Sequence, residues 1–174
     1  MNIEKEFSGN QTLLLLVSSE NYNKMMIDVV KKLSKKHSVA YVTLNKTYDS
    51  LNETFKKKGI SLDNIVFIDA ISKTFKKTPG QTKACYFCLS PGSLTEISLV
   101  ISKFMKHNFD YIVFDSLNNM LIYQKKAPVS KFVSSLVNKI KISNSKAVFY
   151  ALSEKSNDPL IKQSGMFVDK VVKY

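Results

Sequence analysis

The chain has 174 residues and a formal net charge of +12, its cations all lysine, a length that suits one domain with a sizeable core. An apolar share of 44% is that of an ordinary globule and excludes a disordered or fibrous chain. No apolar run reaches the roughly 20 residues of a membrane helix, so no membrane contact is expected.

The start, MNIEKEFSGNQ, is polar and lacks the pattern of a secretory leader. With only two cysteines, the chain suits a reducing, cytoplasmic setting. The lysines are scattered through Lys-Lys pairs, a pattern that fits a solvated surface better than a nucleic-acid site.

Thr12 to Leu33, TLLLLVSSENYNKMMIDVVKKL, organises the chain. Leu13 to Val17 is an apolar run too short for an independent helix and suited to a strand buried on both faces. A polar turn, Ser18 to Asn23, leads into an amphipathic helix with Met26, Val29, Val30 and Leu33 at i, i+3, i+4 and i+7. Val39 to Leu44 is a second buried strand, followed by a polar turn at Asn45 to Ser50. Leu51 and Phe55 mark a short helix ended by Gly59. Ile65 to Ile68 is a third strand, finishing at Asp69-Ala70.

Ser72 to Ala84 is lysine-rich, carries a Pro79-Gly80 turn and reads as an exposed loop. Cys85 to Leu89 is a short strand. Ser93-Leu94-Thr95-Glu96 has the spacing of a capping box, in which a Ser and a Glu three residues on satisfy free N–H groups reciprocally. It opens a helix with Leu94, Ile97, Ile101, Phe104 and Met105 on one face. Asp110 to Asp115, DYIVFD, is a strand ending in a carboxylate.

A looser stretch, Ser116 to Ala127, precedes a helix with Pro128 in its first turn and a buried face of Phe132, Val133, Leu136, Val137 and Ile140. Ala147 to Leu152 is a strand, Ser153 to Gly165 a polar loop, and Phe167 to Val172 a last strand. Strands alternating with helices predict right-handed parallel βαβ units with helices on both sheet faces. The expected fold is α/β, a three-layer αβα sandwich around a mostly parallel sheet, as a single domain over residues 1–174.

A buried strand, a turn and a helix form the arrangement in which α/β proteins hold phosphates, because helix-terminal N–H groups point at the anion. A working phosphate loop reads G-x-x-x-x-G-K-[ST]. The corresponding window is Ser18-Ser19-Glu20-Asn21-Tyr22-Asn23-Lys24-Met25, in which only the lysine matches. Glycines let the backbone turn its N–H groups inward without side-chain clash; Ser18 and Asn23 replace them. Met25 stands where a hydroxyl would meet magnesium, and a thioether is a poor ligand for so hard a cation. Glu20 adds negative charge to the would-be anion cradle.

Taken together these stretches resemble the RecA superfamily, and within it the archaeal and bacterial KaiC-like and RadA-like ATPase domains, over about residues 11–174. TLLLLVSSENYNKM is similar to the phosphate-loop strand and loop, with a degenerate Walker A motif. VAYVTLNKTYDSL is similar to the second strand, and IVFIDAISKT to the third. SPGSLTEISLVI resembles a helix of KaiC-like relatives, and DYIVFDSLNNML the Walker B strand. KAVFYALSE and FVDKVVKY resemble the last core strands. The resemblance implies a P-loop NTPase-type sheet with its six core strands in the order 3-2-4-5-1-6.

The departures from that pattern bear on function. The family's glutamate pair, which orients the attacking water, is replaced by Asn45-Lys46, and an amide cannot take a proton. Asp115 matches the Walker B aspartate, which holds magnesium through water; with Met25 opposite it reads better as a strand-end acid capping a neighbouring loop. With cradle, metal hydroxyl and catalytic acid all exchanged, the expectation is a catalytically inactive pseudo-ATPase with no catalytic residues, cofactor or metal. It would act as a regulatory or scaffolding module through a protein partner or self-association. Ser19, Asn23, Lys24 and Asp115 are what a degenerate nucleotide site, or a weak non-hydrolysing ATP–Mg sensor, would retain.

An alternative is a nucleic-acid-binding module. In RecA-like recombinases the loops after the fourth and fifth strands bind single-stranded DNA. Here these are Asn118 to Lys131, with Tyr123, Lys125, Lys126 and Lys131, and Ser153 to Gly165, with Lys155 and Lys162; cations beside an aromatic suit backbone contact plus base stacking. Cys85-Tyr-Phe-Cys88 lacks further ligands at zinc spacing and reads as two buried thiols. His37 and His107 each end a lysine-containing helix, where a cation suits the dipole.

Overall fold

The computed structural model describes residues 2–75 and 82–174. A short helix α1 (Ile3–Glu6) precedes the first strand β1 (Thr12–Val17), followed by α2 (Tyr22–Ser34), β2 (Val39–Thr43), α3 (Tyr48–Lys57) and β3 (Ile65–Asp69). One helical turn, α4 (Ser72–Phe75), leads to β4 (Cys85–Phe87), α5 (Leu94–Lys106) and β5 (Tyr111–Asp115). The chain continues through α6 (Leu117–Tyr123), α7 (Lys126–Lys141), β6 (Lys146–Leu152), a 3₁₀ turn at Ser153–Lys155, α8 (Pro159–Phe167) and β7 (Lys170–Lys173).

All seven strands are parallel, in the order β4-β3-β2-β5-β6-β1-β7. Leaving out the three-residue β4 gives the six-strand order that the resemblance implied. Every residue of β1 is buried, and strand alternation sends its side chains to opposite layers. Leu13, Leu15 and Val17 meet Met26, Val29, Val30 and Leu33 of α2 together with Leu51 and Phe55 of α3. Leu14 and Leu16 share the opposite layer with Ile97 and Ile101 of α5, Phe132 to Ile140 of α7, and Leu160 and Ile161 of α8. That two-sided burial is why the strand reads as an unbroken apolar run.

Polar clamps at the lower edge set the register. The Asp169 carboxylate accepts from the N–H groups of Gln11 (3.0 Å) and Thr12 (2.8 Å) and from Thr12 Oγ1 (2.8 Å), while Lys141 Nζ lies 2.9 Å away. Gln11 Nε2 is shared among the carbonyls of Ile140, Ser143 and Ser145 at the turn from α7 to β6. The start of β1, the end of α7 and the entry to β7 are thereby tied together.

Several segments depart from expectation. Residues 117–123 form α6 rather than a loose stretch, because Leu117 and Met120 are buried one turn apart. Residues 159–167 form α8 rather than a polar loop. Pro159 occupies the first turn, the Asp158 carboxylate caps it by accepting from Leu160 N–H (2.8 Å), and Leu160, Ile161 and Ser164 are buried. The last strand therefore begins at Lys170 instead of Phe167.

Ser72–Phe75 is a helical turn, while the rest of the expected loop, with Pro79-Gly80, lies mostly outside the described residues. The expected capping box does not form either: the Ser93 side chain makes no cap, and Glu96 accepts instead from Leu89 N–H at 2.8 Å.

Partial burial pushes the Asp169 pKa up, but Lys141 and the Thr12 and Gln11 donors outweigh it and hold the group at about 2. A depressed carboxylate contributes stability above its unfolded pKa of about 3.9 and loses it as pH falls toward the folded value. Asp169→Ala is therefore expected to lower the unfolding free energy at pH 7 by about 1–2 kcal/mol. In urea titrations at a series of pH values, the variant should lose less stability than the parent between about pH 4 and pH 2.

Candidate functional site

In a parallel sheet the strand ends and the following helix N-termini gather at one edge, where open α/β proteins place their sites. Here that edge carries the ends of β1, β2, β3, β5 and β6. Register sets Thr43 of β2 between Asp69 of β3 and Asp115 of β5. Both carboxylates are fully buried, so each needs hydrogen-bond donors.

Asp115 takes its donors from side chains. Tyr22 OH donates to Oδ1, Tyr41 OH to Oδ2 at 2.5 Å, and Asn45 Nδ2 to Oδ1 at 3.3 Å. Burial raises the Asp115 pKa, against the pull of Tyr22, Tyr41, Lys46 and Asn45. Burial first, and then the Asp115 charge, lift Tyr22 and Tyr41 well above the ordinary phenol value, so both remain protonated donors. Tyr150 completes the cluster, its ring 5.8 Å from that of Tyr22 and its buried hydroxyl without a partner. Asp69 is satisfied differently, accepting from the N–H groups of Tyr48, Ile71 and Ser72 and from Ser72 Oγ at 2.6–2.8 Å. It caps two chain turns.

The turn between β1 and α2 is closed by its own side chains and by Glu154 from the far side of the edge. Asn21 Nδ2 donates to Ser18 Oγ (3.0 Å). Ser19 donates to Glu154 Oε1 through both its N–H (2.8 Å) and its Oγ (2.9 Å). The Ser19 amide, more than any other contact, holds the exposed Glu154 at a pKa of about 2, so an anion already sits on that N–H group at neutral pH.

Among the residues singled out in the sequence, Ser19 thus meets Glu154, and Asn23 Oδ1 accepts from Lys46 Nζ at 2.5 Å. Asp115 is enclosed by tyrosines, and Lys24 is exposed on the first turn of α2. Met25 is buried in the core beneath α2, in the layer that also holds Tyr150. Asn45 and Lys46, at the glutamate-pair position, both reach the site.

Of the nucleic-acid candidates, Lys126 and Lys131 lie on α7 and Lys162 on α8, while Tyr123 ends α6, Lys125 precedes α7 and Lys155 is on the 3₁₀ turn. Lys126 Nζ lies 2.9 Å from Asp158, and Ser130 Oγ donates to Gln163 Oε1 at 2.8 Å, so the two expected loops are neighbouring helices. Asp158 is partly desolvated, but Lys126 and the Leu160 N–H hold its pKa below the usual carboxylate range. Lys125, Lys131, Lys155 and Lys162 are exposed, and Tyr123 is 40% exposed.

Cys85 and Cys88 are free and buried, one in each core layer. Burial pushes both thiols up, Cys88 to about 12 and Cys85 further. Among the described residues no three His, Cys, Asp or Glu side chains group as a metal site.

Sequence reading missed Tyr22, Tyr41 and Tyr150. A usable signal existed: a phenol inside an otherwise apolar buried strand, as in VAYVT and VFYAL, calls for a polar partner near the strand end.

The sheet order defines a three-layer αβα fold of the RecA/KaiC-like type. Among solved structures it is similar to the KaiC-like protein PH0186 from the hyperthermophilic archaeon Pyrococcus horikoshii OT3, with a TM-score of 0.62. The likeness covers 94% of this chain and 70% of that one at 13% identity, and so speaks for the fold alone. No protein-family model and no curated protein matches the sequence.

Tyr22→Phe and Tyr41→Phe are each expected to cost about 1–3 kcal/mol in urea unfolding, since each strips a donor from a buried acceptor. The double variant should be non-additive, because both hydroxyls serve one carboxylate. With its pKa raised in the fold, Asp115 binds protons that the unfolded chain has already lost. Stability therefore falls as pH rises from about 4 to the raised value. Asp115→Asn should abolish that slope in a pH series of thermal melts.

Proposed function

We propose that this chain is a non-hydrolysing RecA/KaiC-like domain that serves as a regulatory or scaffolding module through protein contacts. The observation that supports this most directly is the internal occupancy of the site. Two phenols enclose the strand-end aspartate, and the Glu154 carboxylate takes the Ser19 amide and hydroxyl. A magnesium-bound water on Asp115 would have to displace hydroxyls that are themselves buried. A phosphate at Ser19 would have to displace a carboxylate of its own sign.

The amide of Asn45 stands at the glutamate-pair position and donates to Asp115, and an amide cannot take a proton from water. The protein-contact role follows from a RecA-type scaffold without working nucleotide chemistry. Two unpaired buried thiols suit a reducing compartment such as the cytoplasm. Among the described residues, no helix is long and apolar enough to cross a membrane.

Isothermal titration and thermal melts with ATP–Mg and ADP–Mg, with a phosphate-release assay, test the reading. The expected result is no heat of binding, no turnover and an unchanged Tm. A nucleotide at 100 times its Kd would stabilise the native state by about 2.7 kcal/mol and raise the Tm visibly. A raised Tm without turnover would make the chain a nucleotide sensor. Micromolar binding with turnover abolished by Lys24→Ala would overturn the proposal.

A further inference from the structure

α5 and α7 lie side by side on one face of the sheet, linked by Lys139, whose Nζ reaches Ser98 Oγ (2.9 Å) and Ser102 Oγ (3.3 Å). Between them is a hollow of about 370 Å³ with Leu94, Leu99, Pro128 and Phe132 among its walls. It runs on past Leu94, Thr95 and Pro128 to Leu89 at one end. A separate hollow lined by α7 alone shares Lys131, Ser135 and Lys139 with it and reaches Ile142.

The apolar side chains along it are not core residues that happen to show. Leu99 is 58% exposed, Leu89 66% and Ile142 89%. Leu89 and Leu99 lie along the one groove, with Ile142 on the adjoining face of α7, and apolar residues so grouped mark an interaction surface where scattered single ones would not. The 13 residues of α5 make it roughly 20 Å long, the span of a short helix laid alongside.

Charge narrows the occupant. Lys131 and Lys139 line the groove, and among the described residues neither is ion-paired. The partners of Lys139 are neutral hydroxyls. The acid at the Leu89 end, Glu96, is engaged by the Leu89 N–H. An apolar stripe flanked by unneutralised cations complements a helix with apolar anchors on one face and carboxylates beside them.

A second copy of this +12 chain would set the same lysines against one another. A nucleic-acid strand would need exposed aromatic platforms, whereas the groove is walled by aliphatic side chains and its Phe132 is 7% exposed.

We infer that the α5–α7 groove docks an acidic amphipathic helix of a partner protein. The helix seats its apolar anchors on Leu94, Leu99 and Pro128 and sets its carboxylates on Lys131 and Lys139. This rests on the protein-contact reading and names the surface that carries it.

The test is fluorescence polarisation of the full chain against a labelled helical peptide of about 15 residues, with leucines at i, i+3, i+7 and i+10 and glutamates beside them. A scrambled peptide and one with lysines for the glutamates serve as controls. The acidic peptide is expected to bind with a micromolar Kd. Leu99→Glu and Lys131→Glu should each weaken it at least about tenfold, with far-UV circular dichroism unchanged. Met166→Glu, at a site 82% exposed and outside the groove, should leave it intact. Lys131→Glu should in turn gain affinity for the lysine peptide.

Absence of binding, equal binding of the scrambled peptide, or indifference to Leu99→Glu overturns the inference. So does competition by a labelled single DNA strand that is lost in Lys131→Glu, or a concentration-dependent dimer lost in Leu99→Glu. Phosphate release measured on the same samples keeps the two readings apart: turnover sinks the proposed function whatever the peptide does. A silent groove without turnover sinks only the docking surface.

Discussion

A carboxylate with no exposed surface must be neutralised, ion-paired or surrounded by donors. At Asp115 the solution is donors, and those donors come from three separate elements. Tyr22 opens α2, Tyr41 lies in β2, and Asn45 follows β2. Each must be in place for the others to be satisfied, so the hydroxyls fix how α2 sits on the sheet at its upper edge. The Asp169 clamp does the same for β1, β7 and α7 at the lower edge. Between the two, alternating side chains of a sheet buried on both faces supply the bulk of the packing.

That constraint has a functional consequence. Polar groups paired inside the fold must give up a partner before they meet a ligand. The N–H and hydroxyl of Ser19 answer to Glu154, Asn23 to Lys46, and the strand-end acid to phenols. At the edge of the sheet where open α/β proteins do chemistry, these groups form a polar network. Such a network adds rigidity and specifies one arrangement. A groove with exposed cationic and apolar side chains lies over α5 and α7, on the layer opposite the tyrosine cluster.

Legibility in the sequence followed the range of the forces involved. Runs such as TLLLLV, VAYVT and YIVFD announce strands because burial acts on each residue separately, and the stripes of α2, α5 and α7 announce helices by spacing. The Asp158-Pro159 start of α8 was equally local, a capping acid followed by a first-turn proline, and was hidden by the polar residues around it. α6 is held by Leu117 and Met120 against the core rather than by strong start or stop signals, so its short sequence looked like loop. Ser93 and Glu96 had the right spacing for a reciprocal cap. Glu96 found a better-placed donor in Leu89, a choice that depends on where the preceding strand ends.

By itself, then, the amino-acid order determined the α/β class, nearly every strand, the principal helix faces and the misfit of residues 18–25 with a phosphate loop. Those are properties of single residues and their near neighbours. Only the tertiary structure decided what closes that turn and what surrounds Asp115. Its contacts join residues 135, 93 and 74 positions apart, and no periodicity encodes them. They exist because the strand order brings β1, β2, β5 and β6 to a common edge, where buried polar groups must find partners in one another.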